Sequence, residues 1–374
     1  MSEWLQHTGV VEERTRQREE NHDARVRLWE AALRAATDAP ELPGSGLLVE
    51  HYDTKPVVIG VGFFGIVFSA SRGGKKYAVK MLFMDNEASF IKEVAMLLYL
   101  FNNIQGGTCS RKLVCYAAHF RARLGREFYT ELFQHATTER KTHLSIQLGT
   151  SGSVRERYLQ TGLVSFIETR LEKGQVMEEL LYKQHGQVSD VVGGRTLSYQ
   201  QNLALIISLV GAVRLLHRNF VYHQDIYAKN IMVVNYSPDR INLMPHAVLL
   251  DMGVACLVDK CEPPPQYPFQ TKAQLLRVDR HRQYNDVMML LDIIYDWLNG
   301  VYYNDYPPRR ILPVQNQRLA HSPLWDIVKR NWEPAHRYDV YSHEFESIPG
   351  TFPHVTAEDL YTEFRALIFP SEFL

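Results

Sequence analysis

The sequence predicts an α+β protein in which a β-rich part comes first and an α-rich part follows. Residues 47–67 and 76–83 are short runs rich in β-branched and aromatic residues, as in strands. Beyond Gly174 the apolar residues recur at helical spacing, most clearly in 198–218 and 285–299. Strands followed by helices are typical of the α+β class, and 374 residues suffice for two parts with separate cores.

We expect three segments along the chain. They are a helical N-terminal extension and linker (1–46), a β-rich lobe (47–170) and an α-rich lobe (171–374). In the extension, five apolar residues share one stripe at helical spacing: Val26, Leu28, Trp29, Ala32 and Leu33. We expect this helix to pack on the folded domain or to fray, and a partner-binding helix is the alternative.

The overall charge argues against nucleic-acid and membrane partners. The 41 Lys and Arg residues nearly balance the 42 Asp and Glu residues. No apolar run reaches the roughly 18 residues that span a bilayer, and the start lacks a signal-peptide core. We therefore expect an intracellular protein, cytoplasmic or nuclear or both. Its four cysteines, spaced unlike a CxxC pair, are expected to be free thiols in a reducing compartment.

A glycine-rich segment lies between two of the β-type runs. Glycine lets backbone amides approach phosphates closely, because no Cβ stands in the way. A Rossmann nucleotide site uses the same GxGxxG spacing, but its third glycine opens a helix and an acidic residue ends the next strand, and neither is found here. We expect a phosphate-covering hairpin formed by Gly60, Val61, Gly62, Phe63, Phe64, Gly65, Ile66 and Val67.

Lys80 lies in the next strand, among apolar residues. An unpaired ammonium is costly there, so it requires anionic phosphate and a carboxylate partner. Glu87 and Glu93 on the following helix are the candidates, and at 100° per residue only one of them can face Lys80. Glu93 has apolar neighbours on its face of the helix, Phe90 and Leu97. We therefore expect the pair Lys80–Glu93.

A loop after the helix 198–218 carries a second group of polar residues. Asp225 is able to orient a hydroxyl and accept its proton, while the amide oxygen of Asn230 ligates magnesium. Lys229 between them is placed to neutralise charge on a transferred phosphoryl group. Asp251, at the end of an apolar strand and two residues before Gly253, suits a second ligand of a hard cation.

These segments resemble the protein-kinase superfamily. The Gly-rich loop, the strand lysine, the helix glutamate, the HxD loop with its Asn and the DxG motif occur in the family order over residues 57–253. Segment 285–300 looks like the central helix of the kinase C-lobe, where an Asp at the position of Asp286 holds the catalytic loop through its backbone amides. The resemblance implies the bilobal protein-kinase fold, with a β-rich N-lobe containing one main helix and an α-rich C-lobe.

The resemblance also implies a nucleotide site for ATP. The glycine-rich loop covers the phosphates, and Ala78 lies against the adenine. Lys80, braced by Glu93, holds the α- and β-phosphates.

The catalytic roles follow in the same way. Asp225 is the catalytic base and Lys229 steadies the γ-phosphate. Asn230 and Asp251 bind Mg²⁺, with Mn²⁺ as an alternative ion.

The sequence also departs from the family pattern. Gln224 replaces the Arg that pairs with a phosphorylated activation loop, so we expect no such switch. Met252 replaces the Phe of the DFG motif, and residues 253–285 contain no Ala-Pro-Glu motif, so the segment that docks a peptide is shortened or rebuilt. Divergence of this kind is similar to that of kinases from large DNA viruses, herpesviruses among them.

These features predict a protein kinase that phosphorylates a protein substrate, on Ser or Thr. A pseudokinase scaffold is one alternative, supported by Gln224 and Met252. A small-molecule kinase of the aminoglycoside-phosphotransferase type is another, since that class shares an HxD loop and lacks the peptide-docking segment. The sequence carries no signal for the oligomeric state.

Overall fold

The structure, a computed structural model, describes part of the chain in two compact units. The described residues are 23–42, 51–61, 65–82, 87–104, 106–123, 163–181, 197–258, 260–261, 272–299, 322–336 and 355–368. The first unit comprises Met1–Cys109 and Cys115–Leu171, and the second comprises Ser110–Val114 and Glu172–Leu374. The expectations for residues 1–22, for Gly62, Phe63 and Phe64, and for residues 259 and 262–271 of the segment between Gly253 and Asn285 fall outside the described residues.

The first unit contains a five-stranded antiparallel sheet in the order β1-β2-β3-β5-β4. Its strands are β1 (Val57–Val61), β2 (Gly65–Arg72), β3 (Lys75–Leu82), β4 (Tyr116–Arg123) and β5 (Leu163–Arg170). Side chains alternate between the two faces of each strand. One face carries the core, which includes Phe68, Val79 and Phe166. The register pairs Lys80 with Val67 and with Ile167, so these side chains share the opposite face.

Two helices accompany this sheet in the described part of the first unit. They are α1 (residues 23–37) and α2 (Glu87–Tyr99), and a short π-helical turn (Leu100–Ile104) follows α2. The buried residues of α1 are Trp29, Ala32 and Ala36. Leu28, which the sequence pattern placed on the same stripe, is 43% exposed, because at 100° per residue it lies at the edge of the buried stripe.

The second unit is mainly helical, so the protein as described is α+β. Its elements are β6 (Gly174–Val176), α3 (Met177–Leu181), α4 (Tyr199–Arg218), β7 (Val221–Tyr222), a 3-10 turn (Ala228–Asn230), β8 (Ile231–Val234), β9 (His246–Leu249), β10 (Cys256–Leu257), α5 (Lys272–Asn299), α6 (Pro323–His336) and α7 (Ala357–Ala366). Strands β6, β8 and β9 form one small sheet, and β7 pairs with β10. Helix α5 begins at Lys272, well before the expected residue 285.

Helix α4 organises the second unit. It begins with a capping box in which Ser198 and Gln201 satisfy each other's backbone amides. The side-chain nitrogen of Gln201, Nε2, also donates to the carbonyls of Ser237, Arg240 and Leu243. These bonds fix the loop between β8 and β9. By length and composition α4 is apolar enough to cross a membrane. Most of it is buried inside the protein, which is the pattern of a core helix.

The four cysteines are paired as disulfides, so the expectation of free thiols is wrong. Cys109 is bonded to Cys115, and Cys256 to Cys261. The bonded residues are 6 and 5 positions apart, and such spacings are not specific to any disulfide or metal motif. Disulfides persist mainly in oxidising environments, so this pairing argues against a reducing compartment.

Alkylation should detect this pairing directly. Protein denatured without reductant should incorporate no thiol label by mass spectrometry, because no cysteine is free. Cys256→Ser should expose one reactive thiol, at Cys261. Labelling of four cysteines without reductant would contradict the disulfides.

An ion pair attaches α7 to α4. The Glu358 carboxylate accepts hydrogen bonds from Nε of Arg214 at 2.6 Å and Nε of Arg218 at 2.7 Å. The Arg214 hydrogen bond in particular holds the pKa of Glu358 at about 2, below its ordinary 4.5, and Arg218 acts in the same direction. The ring of Tyr361, one turn along α7, lies under the Arg214 guanidinium, which is 4.2 Å from the ring centroid.

The lowered pKa predicts how this ion pair responds to acid. The ionised carboxylate stabilises the fold above pH 4.5, and the stabilisation is lost as the pH falls from 4.5 through 2, below which Glu358 is protonated in both the folded and the unfolded state. Glu358→Gln should therefore lower the free energy of unfolding in urea at pH 7. The difference from the wild type should shrink between pH 4.5 and pH 3. A difference that grows on acidification would contradict the assignment.

Candidate functional site

In the first unit, Lys80 and Glu93 form an ion pair. The Lys80 ammonium lies 2.8 Å from each oxygen of the Glu93 carboxylate, and both side chains are largely buried. Glu87, the other sequence candidate, is exposed and instead accepts from Arg121 at 2.6 Å. Removing one partner of a buried pair leaves an uncompensated charge. The pair therefore fixes the Lys80 ammonium on the sheet face opposite the core.

The described part of the glycine-rich segment is a strand hairpin. Gly60 and Val61 end β1, Gly65 begins β2, and Val61 pairs with Ile66. A Cβ on Gly65 would collide with the Met81 carbonyl oxygen, whereas one on Gly60 would lie 3.7 Å from Val67 Cβ, an ordinary contact. Gly65 is thus required by the packing of β2 on β3, a reason that the motif alone does not give.

Ala78 lies on the same sheet face as Lys80. It is two residues before Lys80 in β3, and its strand partner is Thr169 of β5. The Thr169 hydroxyl donates to the Ala78 carbonyl at 3.4 Å.

In the second unit, the buried Asp286 carboxylate holds the loop that follows β7. One oxygen accepts from the His223 amide at 2.8 Å and from Nε2 of His217 at 3.0 Å. The other oxygen accepts from the Gln224 amide at 2.7 Å and from its side-chain nitrogen at 3.1 Å. Asp286 is fully buried. Four donors from two elements therefore converge on one carboxylate at the start of the loop.

Gln224 is held in an unfavourable backbone conformation. Its φ is +64°, in the left-handed region that residues with a Cβ seldom adopt. Such a residue costs on the order of 1–3 kcal/mol and persists only where its surroundings fix it. Besides Asp286, the Gln224 side chain donates to the Arg282 carbonyl at 2.9 Å. These bonds fix the residue directly before Asp225.

Asp225 and Asn230 are in direct contact. The Asn230 side-chain nitrogen donates to the Asp225 carboxylate at 2.6 Å and to its carbonyl at 2.9 Å. Asn230 is buried, whereas the Asp225 side chain is partly exposed. The Lys229 ammonium is solvent-accessible and lies 3.8 Å from the same carboxylate. The loop thus presents a carboxylate, an amide and an ammonium at one place.

The β8–β9 hairpin brings Asp251 to the same loop. Ile231 pairs with Leu249, and the Leu250 amide donates to the Asn230 carbonyl at 2.8 Å. Nε2 of His223 donates to the Leu250 carbonyl at 2.9 Å. Asp251 follows at once, with a φ of +48°, and its carboxylate accepts from the Gly253 amide at 3.0 Å.

The residues present fit a magnesium ion. Asn230 donates through its nitrogen, which leaves the amide oxygen, the atom that ligates cations, on the other side of the group. Asp251 supplies a carboxylate next to it along the hairpin. Magnesium typically takes one or two carboxylates, with water and phosphate oxygens completing its octahedron. Within the described ranges no cluster of three His, Cys, Asp or Glu side chains forms a metal cage, and such a magnesium site does not need one.

Some contributors to the site were not found from the sequence. His217 and Arg282 were not selected, and Gln224 was noted only as a departure. Their contacts join residues more than 50 positions apart, which no local spacing reveals. Glu178 of α3 lies in the electrostatic neighbourhood of Lys229, and burial raises the pKa of its carboxyl while Lys229 lowers it. In the sequence, Glu178 is marked only as an acidic residue four positions after Gly174.

Removing the Asp286 carboxylate should destabilise the second unit. In Asp286→Ala the buried amides of His223 and Gln224 lose their acceptor. We expect a loss of about 2–5 kcal/mol in the free energy of unfolding. The exposed Asp239→Asn is the matched control and should change it by less than about 0.5 kcal/mol. Equal urea midpoints for the two variants would show that Asp286 does not hold the loop.

Comparison with known proteins identifies no family. No family model matches the chain, and no curated protein matches it in sequence.

Proposed function

We propose that this chain is an ATP-dependent protein kinase with the bilobal protein-kinase fold, transferring the γ-phosphate of Mg-ATP to a Ser or Thr hydroxyl of a protein. The observation that carries the proposal is the contact between the Asp225 and Asn230 side chains in the second unit. It lies in the loop held by Asp286, and Asp251 directly follows Leu250, whose amide donates to the Asn230 carbonyl. A base beside two oxygen ligands for a cation is what phosphoryl transfer to a hydroxyl requires.

The first unit supplies the nucleotide-binding groups in this proposal. Lys80, oriented by Glu93, would bind the α- and β-phosphates through its ammonium. The strands that bear Gly60 and Gly65 would bring backbone amides to the phosphates, and Ala78 would lie against the adenine. A positively charged group that is already oriented loses little conformational entropy when the anion binds.

Asp225 acts as the catalytic base in this mechanism. Its carboxylate would accept the proton of the attacking hydroxyl as the oxygen bonds to the γ-phosphorus and the bond to the ADP oxygen breaks. The Asn230 side-chain nitrogen donates to this carboxylate, and the solvent-accessible Lys229 ammonium, 3.8 Å from it, would stabilise negative charge on the phosphoryl group. Asn230 and Asp251 would hold Mg²⁺ or Mn²⁺, which when bound neutralises phosphate charge.

Two alternatives are tested by the same experiment. A pseudokinase scaffold would keep the fold without transfer, and Gln224 and Met252 are the residues that favour it. A small-molecule kinase would use the same base on a metabolite hydroxyl. The ordered Lys80–Glu93 pair favours an active nucleotide site over the scaffold, because a site that no longer binds phosphate gains little from a buried ion pair.

A protein substrate inside the cell, cytoplasmic or nuclear, is part of the proposal. The two disulfides are the argument against this location. We propose no nucleic-acid or membrane partner, given the balanced charge of the chain. The resemblance to viral kinases supports a host cell as the location within this proposal.

Transfer from labelled ATP tests the function. Purified full-length protein with Mg²⁺ and a mixed protein pool should label Ser or Thr. Asp225→Asn should lower the rate by about 10²–10⁴-fold, since the base is lost, and Lys80→Met should lower it similarly. The exposed Asp239→Asn is the matched control and should retain the wild-type rate.

Three results would contradict the proposal. Labelling that persists unchanged in Asp225→Asn would mean that another group or protein performs the transfer. Transfer only to small metabolites would assign the small-molecule class. No transfer by a correctly folded wild-type protein, together with an unchanged cellular effect of Asp225→Asn, would favour the scaffold.

A further inference from the structure

Helix α1 packs on the helix that carries Glu93. Trp29 of α1 and Tyr99, the last residue of α2, are both buried. Their rings meet edge to face, with centroids 6.3 Å apart and an angle of 75°. The neighbouring buried residues of α1, Ala32 and Ala36, are small, so the backbone of α1 can lie close to the residues that cover it.

A second contact joins the end of α1 to the first turn of α2 through His119 of β4. Nε2 of His119 donates to the Ala35 carbonyl at 3.1 Å, so Nδ1 is the acceptor of the Tyr116 hydroxyl at 2.6 Å. The His119 ring lies 6.2 Å from the ring of Phe90, which is one turn before Glu93. Burial lowers the pKa of His119, which agrees with the neutral ring that these two bonds require.

A third contact ties the segment after α1 to the edge of the sheet. The Arg121 amide donates to the Pro40 carbonyl, and the Leu42 amide donates to the Arg121 carbonyl, both at 2.8 Å. Strand β4 lies at one edge of the sheet, so residues 40–42 extend the sheet by main-chain hydrogen bonds. The Arg121 guanidinium reaches the Glu87 carboxylate at the start of α2. Residues 29–42 therefore contact the end of α2 directly, and its first turn through β4.

We propose that residues 23–42 are a built-in positioning element that holds α2 where Glu93 meets Lys80, an inference that rests on the proposed phosphotransfer. Trp29 is its central positioning residue, acting through Tyr99 on the helix and so on Glu93. Without the Trp29 ring, α2 loses a buried contact at its end, and the helix adopts positions in which the Glu93 carboxylate no longer reaches Lys80. Fewer molecules then have the lysine oriented for phosphate.

Substitutions on one helix test this role. Trp29→Ala should lower kcat for phosphotransfer at saturating ATP by roughly tenfold, which is a modest change in transition-state free energy. Trp29→Phe, which retains a ring, should recover most of the activity. The matched control is Leu28→Ala on the exposed side of α1, and it should leave kcat unchanged. If Trp29→Ala does not fold, Trp29→Leu serves in its place.

A double-mutant cycle separates positioning of Glu93 from a general loss of stability. In a Glu93→Gln background the ion pair is already broken, so adding Trp29→Ala should lower kcat little further. The same relative loss with and without Glu93 would overturn the inference. Unchanged kcat in Trp29→Ala, with an active wild type, would overturn it as well.

Hydrogen exchange distinguishes this failure from failure of the proposed function. Backbone amides of α2 should exchange faster in Trp29→Ala than in the wild type and in Leu28→Ala, whether or not the protein transfers phosphate. An inactive wild type with faster α2 exchange in Trp29→Ala would refute the kinase proposal and leave the packing role in place. Unchanged α2 exchange would refute the positioning role itself.

Discussion

The second unit depends on one buried carboxylate, that of Asp286. A negative charge removed from water is tolerated only where hydrogen bonds replace its hydration, and four donors do so here. Two of the donors are the consecutive backbone amides of His223 and Gln224. The hydrogen bonds that stabilise the charge therefore also fix the backbone directly before Asp225. The position of Asp225, the proposed base, thus follows from the hydrogen bonds that the Asp286 carboxylate of α5 accepts.

In the first unit, a buried carboxylate is stabilised by hydrogen-bond donors on each face of the sheet. On one face the Glu93 carboxylate is paired with Lys80. On the core face the fully buried Glu168 accepts from both terminal nitrogens of Arg72 and from the Tyr52 hydroxyl. Burial, and after it the Glu168 charge, raises the pKa of Tyr52, so its hydroxyl remains a donor. The two carboxylates lie on opposite faces, and together they fix β3 and β5.

Local periodicity and spacing located much of this arrangement, and their reach explains what they missed. The helical phase of α2 selects Glu93 because Phe90 and Leu97 mark its inward face, and α4 extends from Tyr199 to Arg218, within a residue of the expected start. The exposure of Leu28, the Cys109–Cys115 and Cys256–Cys261 bonds and the contacts of Gln224 were not predicted. Each depends on the packing of elements or on pairings that the spacing of residues does not specify.

The contacts of Gln224 bear on regulation within the proposed function. In the family resembled, an Arg at this position needs the phosphate of a modified loop as its partner, so the catalytic loop is complete only after phosphorylation. Here the uncharged side chain bonds to the Asp286 carboxylate and the Arg282 carbonyl. Both acceptors belong to α5, and neither of them carries a phosphate group. The strained backbone at Gln224 is therefore stabilised by unmodified groups, and within the proposed function we expect the loop that bears Asp225 to need no added charge to hold its position.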